Sequence, residues 1–354
     1  MSNGLEGVVA ADTALTHVDG ARGVLWVRGH TPQDLIAHFG YEGATALLWE
    51  GLAGAGLTRE SVRAALGAAR VSAFEGLGRW LDCAKDRPLG DAVRLCFAAI
   101  PADDPAAITA ALPVGIAALL RLREGKAPVA PDPTLATAAD FLRMLHGDPP
   151  QDSVAAALDA YLTTVIDNGF AASTFAARVI ASTRASLVSA ILGGYCALTG
   201  PLHGGAPGPV LDMLEEIGTP AAIDAWLDQA LSQGERLMGF GHRVWRVRDP
   251  RADALKSALQ KLGPSAGRVA FAEEVERRAL AALHRRKPDR PLETNVEFYT
   301  ALLLDAVGLP RGAFTPVFAL ARTPGWLAHA LEQQKTGRLI RPAANYIGPR
   351  PEAA

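Results

Sequence analysis

Between Gly239 and Arg251 the chain reads G-F-G-H-R-V-W-R-V-R-D-P-R, with one histidine and four arginines in thirteen residues. His242 directly follows Gly239-Phe240-Gly241, where a backbone without side chains lets a ligand come close. Arg243, Arg246, Arg248 and Arg251 supply positive charge, so the run suits an anion that carries a carbonyl. Taken alone it would better suit a solvated basic turn, since a charge run is more often a wet surface than a site. Its company argues for a site: Gly200-Pro201-Leu202-His203-Gly204-Gly205-Ala206 precedes it, and Asn295-Val296-Glu297-Phe298-Tyr299 and Phe314-Thr315-Pro316 through Tyr346 follow.

These residues need a scaffold, and the pattern supplies helices. The exception is Thr16 to Arg28, which reads as two short strands around a glycine-bearing turn. Thr31-Pro32 and Thr58-Arg59-Glu60 are helix starts, each with a capping residue and a favourable first turn. Residues 101–135 are rich in Pro, Ala and Gly, yet Ile108, Leu112, Ile116, Leu119, Leu120 and Leu122 keep helical spacing across Pro113. That predicts a kinked or proline-started core helix. Val154 to Ile166 predicts a helix with one buried stripe, delivering Asp167-Asn168-Gly169 to a turn. Pro207 to Gly218 and Thr219-Pro220 to Gly234 predict two more helices, the second with Thr219 as its cap. The longest uncharged stretch, Ala185 to Leu202, is interrupted by serines, threonine and glycines and reads as a buried helix with its exit loop. The class is all-α.

A chain of 354 residues, 49% hydrophobic and 20% charged, exceeds what one core usually supports, so two domains are expected. A net charge of -2 gives no electrostatic case for nucleic acid or an anionic membrane. Cys83, Cys96 and Cys196 are too widely spaced for a disulfide frame or a zinc site and read as reduced core thiols of a cytoplasmic protein. The N-terminal residues show no secretory signal. Metal-binding, dinucleotide, P-loop and serine-hydrolase signatures are all missing. His17, His30, His38, His146, His284 and His329 have no partner pattern and read as surface or satisfied helix residues.

In this order the stretches resemble the citrate synthase family, which covers citrate and 2-methylcitrate synthases. The resemblance runs from Gly4-Leu5-Glu6-Gly7 through Ala172-Ser173-Thr174-Phe175-Ala176-Ala177-Arg178 to Arg338-Leu339-Ile340-Arg341-Pro342. It implies a large helical domain from residues 1–205 and 313–354, a small helical domain from 206–312, and substrates in the cleft between them. It also implies a homodimer and condensation of acetyl-CoA, or propionyl-CoA, with oxaloacetate. The thioester is a substrate, and no cofactor is implied. His203 matches the histidine that holds the enolate oxygen, kept neutral by the helix start that follows Gly204-Gly205. His242 matches the histidine that polarises the ketone. Arg251, Arg322 and Arg341 match the carboxylate-gripping arginines, with Arg341 reaching in from the second subunit, and Arg246 matches a residue near the CoA phosphates.

The chain departs from the family pattern at particular positions. Glu297 stands where the catalytic base is usually aspartate; since both acids ionise well below neutral pH when unperturbed, its protonation state is expected to survive the change. The extra methylene moves the carboxylate by about 1.5 Å, enough to matter for proton transfer. Asn168 stands where a substrate-holding histidine is common and can donate a hydrogen bond but carry no charge. Ala171, Pro207 and Ala343 also differ from the pattern. These changes leave two rival readings: the same fold with an altered oxo acid or acyl-CoA, and a non-catalytic paralogue that binds CoA or a protein. Joint retention of His203, His242, Arg251, Arg322 and Arg341 argues against the second.

Overall fold

A computed structural model of the chain describes residues 5, 7–204, 207–242, 244–263, 268–286 and 292–349. Gly205, Ala206 and Arg243 of the motifs above therefore lie outside the described residues. An antiparallel hairpin, β1 (Thr16–Asp19) and β2 (Val24–Val27), opens the fold with Thr16 opposite Val27. Helices follow: α1 (Pro32–Asp34), continued by a π-helical turn over Leu35–Phe39, then α2 (Gly40–Trp49) and α3 (Arg59–Glu75). Next come α4 (Leu81–Ala84), α5 (Leu89–Ala98), α6 (Pro105–Arg123), α7 (Thr137–His146) and α8 (Asp152–Thr164). The second half holds α9 (Ala172–Ser182), α10 (Leu187–Leu198), α11 (Pro207–Ile217), α12 (Ile223–Ser232) and α13 (Pro250–Gln260). It closes with α14 (Val269–Arg286), α15 (Val296–Ala306) and α16 (Phe314–Thr336). The protein is all-α apart from the hairpin.

Local chemistry explains several boundaries. Thr31 and Thr58 accept hydrogen bonds from Asp34 N–H and Ser61 N–H, each answered by a return bond in a capping box. α6 is proline-started: Asp104 caps it by accepting from Ala107 N–H, Pro105 takes the first turn, and Pro113 sits within a continuous helix. By length and composition α6 could cross a bilayer, but it lies buried against α3, α5, α7 and α16. Four expectations need correction. Thr219 makes no side-chain cap, because Pro220–Ala222 forms a 3-10 turn before α12. The second half of α8 is buried nearly all round, from Ala157 to Thr164, since helices pack on several of its sides. α10 is only half-buried, with Ser189 exposed. Of the three cysteines, Cys96 alone is in the core, while Cys83 and Cys196 are exposed.

α16 is the structural axis, packed against α2, α5, α6, α8, α9, α10 and α11. Its Pro324 has no N–H to offer the carbonyl one turn back, which is that of Leu320. The Tyr41 hydroxyl fills that vacancy, donating to Leu320 O at 2.9 Å, and Trp49 Nε1–H donates to Pro324 O at 3.1 Å. α2 is thereby fixed to α16, in part through the carbonyl that a helix proline leaves unmet.

The hairpin bridges two loops that matter below. Thr16 Oγ1 donates to Asp167 Oδ2, after α8, and Arg246 N–H donates to Gly20 O at 2.8 Å, before α13. At Gly20 the approach is so close that a Cβ would fall 2.2 Å from the Val244 carbonyl oxygen. Gly20→Ala is therefore expected to lower stability by about 1–3 kcal/mol, as overpacking does, read as an earlier midpoint in denaturant unfolding. An unchanged midpoint would mean that the hairpin does not bear on this loop.

Candidate active site

The Gly239–Arg251 stretch is held from beneath by the start of α15. Gly239 has φ +85°, and a Cβ there would lie 2.8 Å from the Phe298 ring, so only glycine seats the loop on α15. Asn295 caps α15 by accepting from Glu297 N–H at 2.9 Å and donates Nδ2–H to Gly241 O at 2.8 Å. One asparagine thus registers the loop against the helix that carries Glu297.

Within the loop, His242 Nδ1 faces two backbone donors, Val244 N–H at 2.9 Å and Trp245 N–H at 3.2 Å. A nitrogen that accepts cannot carry the proton, so the ring is neutral with its hydrogen on Nε2. Burial pulls His242 down to about 4, with Arg251 adding to the effect, so the ring stays neutral across the physiological range. Arg251 itself is buried, and its Nε and Nη2 edge is taken by Asp249 at 3.0 and 2.7 Å. Its guanidinium also lies over the Trp245 ring, 5.7 Å from the centroid. The two-point contact expected of Arg251 is thus made internally on one edge, leaving the Nη1 side for a ligand.

The other arginines of the stretch divide. Arg248 does not face an anion site: it is tied to Asp253 at 2.6 Å and Glu276 at 2.8 Å. Glu276 also accepts from Thr294 Oγ1 and Tyr299 OH, so the polar ends of two motifs meet on one α14 carboxylate and are structural. Arg246 is exposed.

His203 is positioned from three sides. Thr315 Oγ1–H, at the start of α16, donates to Gly204 O at 2.8 Å. Ser173 lies in the first turn of α9, and its N–H and hydroxyl reach His203 Nε2 at 3.3 and 2.9 Å. Trp326 Nε1–H occupies the Ser173 oxygen as a donor at 3.2 Å, which directs the serine hydrogen onto the imidazole. Nε2 is therefore an acceptor and the proton sits on Nδ1, the opposite tautomer to His242. Burial, with Arg322 adding, pulls His203 down to about 4. The N-terminus of α9 holds the ring, through a neighbour that precedes His203 by thirty residues; the helix start expected after Gly204 runs through Gly205 and Ala206, outside the described residues.

Arg322 and Glu297 complete the cluster. Arg322 is buried in α16, donates Nε–H to Val165 O at 2.7 Å and lies over the Phe318 ring. Burial pulls it down to about 10. The same desolvation raises Glu297 to about 7, against the pull of Arg251 and Arg322 and with help from Asp249. This corrects the expectation that its protonation state is set by its unperturbed chemistry. The carboxyl is poised to exchange a proton near neutrality. Asn168 is half-buried, and its Oδ1 has no partner among the described residues. Asp167 beside it accepts from His329 Nε2–H at 3.1 Å, and His329 Nδ1 accepts from Arg178 at 2.9 Å. Sequence reasoning gives His329 no partner, yet it is part of a buried chain that fixes the Asn168 turn.

Arg341 is not brought to this cluster. It lies exposed in the tail after α16, where Ile340 N–H donates to Ser182 Oγ at the far end of α9, about 14 Å along the helix from Ser173 at 1.5 Å per residue. Asp249, Ser173, Trp326 and Glu276 are the supporting residues that the sequence reading missed. Asp249 alone carried a local signal, its place in D-P-R two residues before Arg251. Among the described residues no group of three or more metal-ligating side chains is assembled.

The profile of the family described as citrate synthase, C-terminal domain, matches residues 4–343. The chain belongs to the citrate synthase family. It is 37% identical over 362 residues to a putative citrate synthase 2 of Mycobacterium tuberculosis, covering 99% of this chain and 94% of that protein. It is 34% identical over 364 residues to a 2-methylcitrate synthase of the same species, covering 98% and 91%. The fold superposes with a TM-score of 0.85 on the citrate synthase of Thermoplasma acidophilum, solved as a ternary complex with carboxymethyl coenzyme A and oxaloacetate. That alignment covers 100% of this chain and 98% of the other at 26% identity. Membership of the citrate synthase family makes the chain an acyltransferase of the condensing type.

Histidine-ring NMR checks the two imidazoles. Both should keep neutral-form shifts down to about pH 5, with midpoints near 4, His203 protonated on Nδ1 and His242 on Nε2. A midpoint above about 6 for either ring would contradict the arrangement.

Proposed function

We propose that the protein joins acetyl-CoA to oxaloacetate and hydrolyses the thioester, giving citrate and free CoA, with propionyl-CoA as the alternative acyl donor. The observation that carries this reading is the convergence of two neutral imidazoles of fixed tautomer, two buried arginines and a carboxyl raised to about 7. A thioester methyl is a very weak carbon acid, so its deprotonation needs a base and a donor at the enolate oxygen together. Glu297 takes the proton. His203 Nδ1–H donates to the developing oxyanion, which costs little reorganisation because Ser173 and Trp326 already hold the ring. His242 Nε2–H polarises the ketone of the oxo acid, and the free edges of Arg251 and Arg322 hold its carboxylates. The enolate carbon then attacks the ketone carbon, and water cleaves the resulting thioester.

The remaining assignments are part of the same proposal. Residues 1–205 with 313–354 form one lobe and 206–312 the other, supported by the packing of α11 and α13 on α15 and of α12 on α14. The exposed tail would carry Arg341 to the site of a second subunit in a homodimer. The exposed Arg246 would meet the CoA phosphates, no cofactor is needed, and the enzyme works in the cytoplasm.

The test is release of CoA from acetyl-CoA and from propionyl-CoA, each with and without oxaloacetate. Oxaloacetate-dependent release is expected; no release with either thioester from folded protein would overturn the reading. Glu297→Gln should lower turnover by at least about a hundredfold and abolish exchange of acyl hydrogens into deuterated solvent. Persistent exchange would move the base to another residue.

A further inference from the structure

Tyr161 lies on α8, one turn before Val165, whose carbonyl holds Arg322. α8 packs against α13, α15 and α16, the helices that carry Arg251, Glu297 and Arg322. The side chain is fully buried, yet its hydroxyl has no hydrogen-bond partner among the described residues. The other tyrosines behave differently. Tyr41 donates to Leu320 O, Tyr195 to Gly90 O, Tyr299 to Glu276 and Tyr346 to Pro349 O. Buried phenols normally find an acceptor, and leaving one unmet destabilises the ligand-free protein.

The surroundings indicate which acceptor is missing. The charges that act on the Tyr161 hydroxyl are those of Glu297, Arg322 and Arg251. The Nε edge of Arg251 is spent on Asp249 and Arg322 Nε on Val165 O, so the free ends of both guanidiniums remain to receive an anion. A phenol in the field of two guanidiniums is well placed to share a carboxylate with them, since a hydroxyl adds a short donor that the planar forks do not supply.

We propose that Tyr161 is a substrate-binding residue whose hydroxyl donates to a carboxylate oxygen of the 2-oxo dicarboxylate held by Arg251 and Arg322. This rests on the condensing reaction argued above for the same cleft. The cost of the unmet hydroxyl falls on the free enzyme and is relieved when the anion binds. The residue is therefore a trade of stability for affinity and not a packing element.

Tyr161→Phe tests it, because the ring is kept and only the oxygen is lost. Calorimetric titration with oxaloacetate alone should show affinity weakened by about 10- to 100-fold, the usual effect of a hydrogen bond to a charged group. KM for oxaloacetate should rise in step, with kcat and KM for acetyl-CoA within about threefold of the parent. The ligand-free variant should unfold at the same temperature as the parent or higher. Unchanged oxaloacetate affinity would overturn the proposal. So would a lower unfolding temperature with equal losses towards both substrates, which marks a packing role. Failure of the parent protein itself to bind oxaloacetate would overturn the functional reading and this inference with it, whereas tight binding by both proteins would overturn the inference alone.

Discussion

Two guanidiniums buried in one cleft are the constraint on which the rest of this structure depends. Arg251 and Arg322 are nearly out of solvent, and a buried charge is tolerated only when the surroundings answer it. Asp249 answers Arg251 with a two-point contact, and the Val165 carbonyl answers Arg322. Neither answer is complete, since each guanidinium keeps free donors. Burial keeps His203 and His242 neutral, and the positive charge of Arg322 and Arg251 adds to it. That charge also pulls Glu297 towards ionisation, while the burial of that carboxyl pulls harder the other way. The protonation state of every group in the cleft follows from this balance.

Neutrality alone would leave each imidazole free to present either nitrogen. The fold removes that freedom with donors that cannot reverse: backbone N–H groups at Val244 and Trp245 for His242, and the Ser173 N–H, backed by the Trp326 indole through the serine hydroxyl, for His203. Each ring is left with one N–H to donate, on Nδ1 in His203 and on Nε2 in His242. The same economy appears at α16, where Tyr41 takes the Leu320 carbonyl that Pro324 leaves unmet, and at Gly20 and Gly239, where missing side chains let the hairpin and α15 grip the loop that carries His242. The two histidines sit on loops fastened to α9, α15 and the hairpin, while Arg251, Glu297 and Arg322 come from α13, α15 and α16.

Much of this was legible in the sequence because it is local. Caps at Thr31 and Thr58, the proline start of α6, the hairpin, and the glycine-flanked His203 and His242 all announce themselves within a few residues. What was not legible is set by distance along the chain. Arg248 looked like part of an anion site until Glu276, on α14, took its charge. Ser173, which meets His203 from the start of α9, lies thirty residues away in the chain, and the exposure of Cys83 and Cys196 depends on helix packing that no spacing reveals. The largest error concerned Glu297, whose acidity was judged from the free side chain. Its burial, a property of the folded cleft, governs it instead.

The balance between burial and the two arginines is best tested by titrating the Glu297 carboxyl directly, through carbon NMR of glutamate-labelled protein with Glu297→Gln to assign the signal. A midpoint near 7 is predicted, with the group protonated below it and charged above. A midpoint at the ordinary glutamate value of about 4.3 would contradict the account, because the arginines would then cancel burial and the cleft would not hold its base near neutrality.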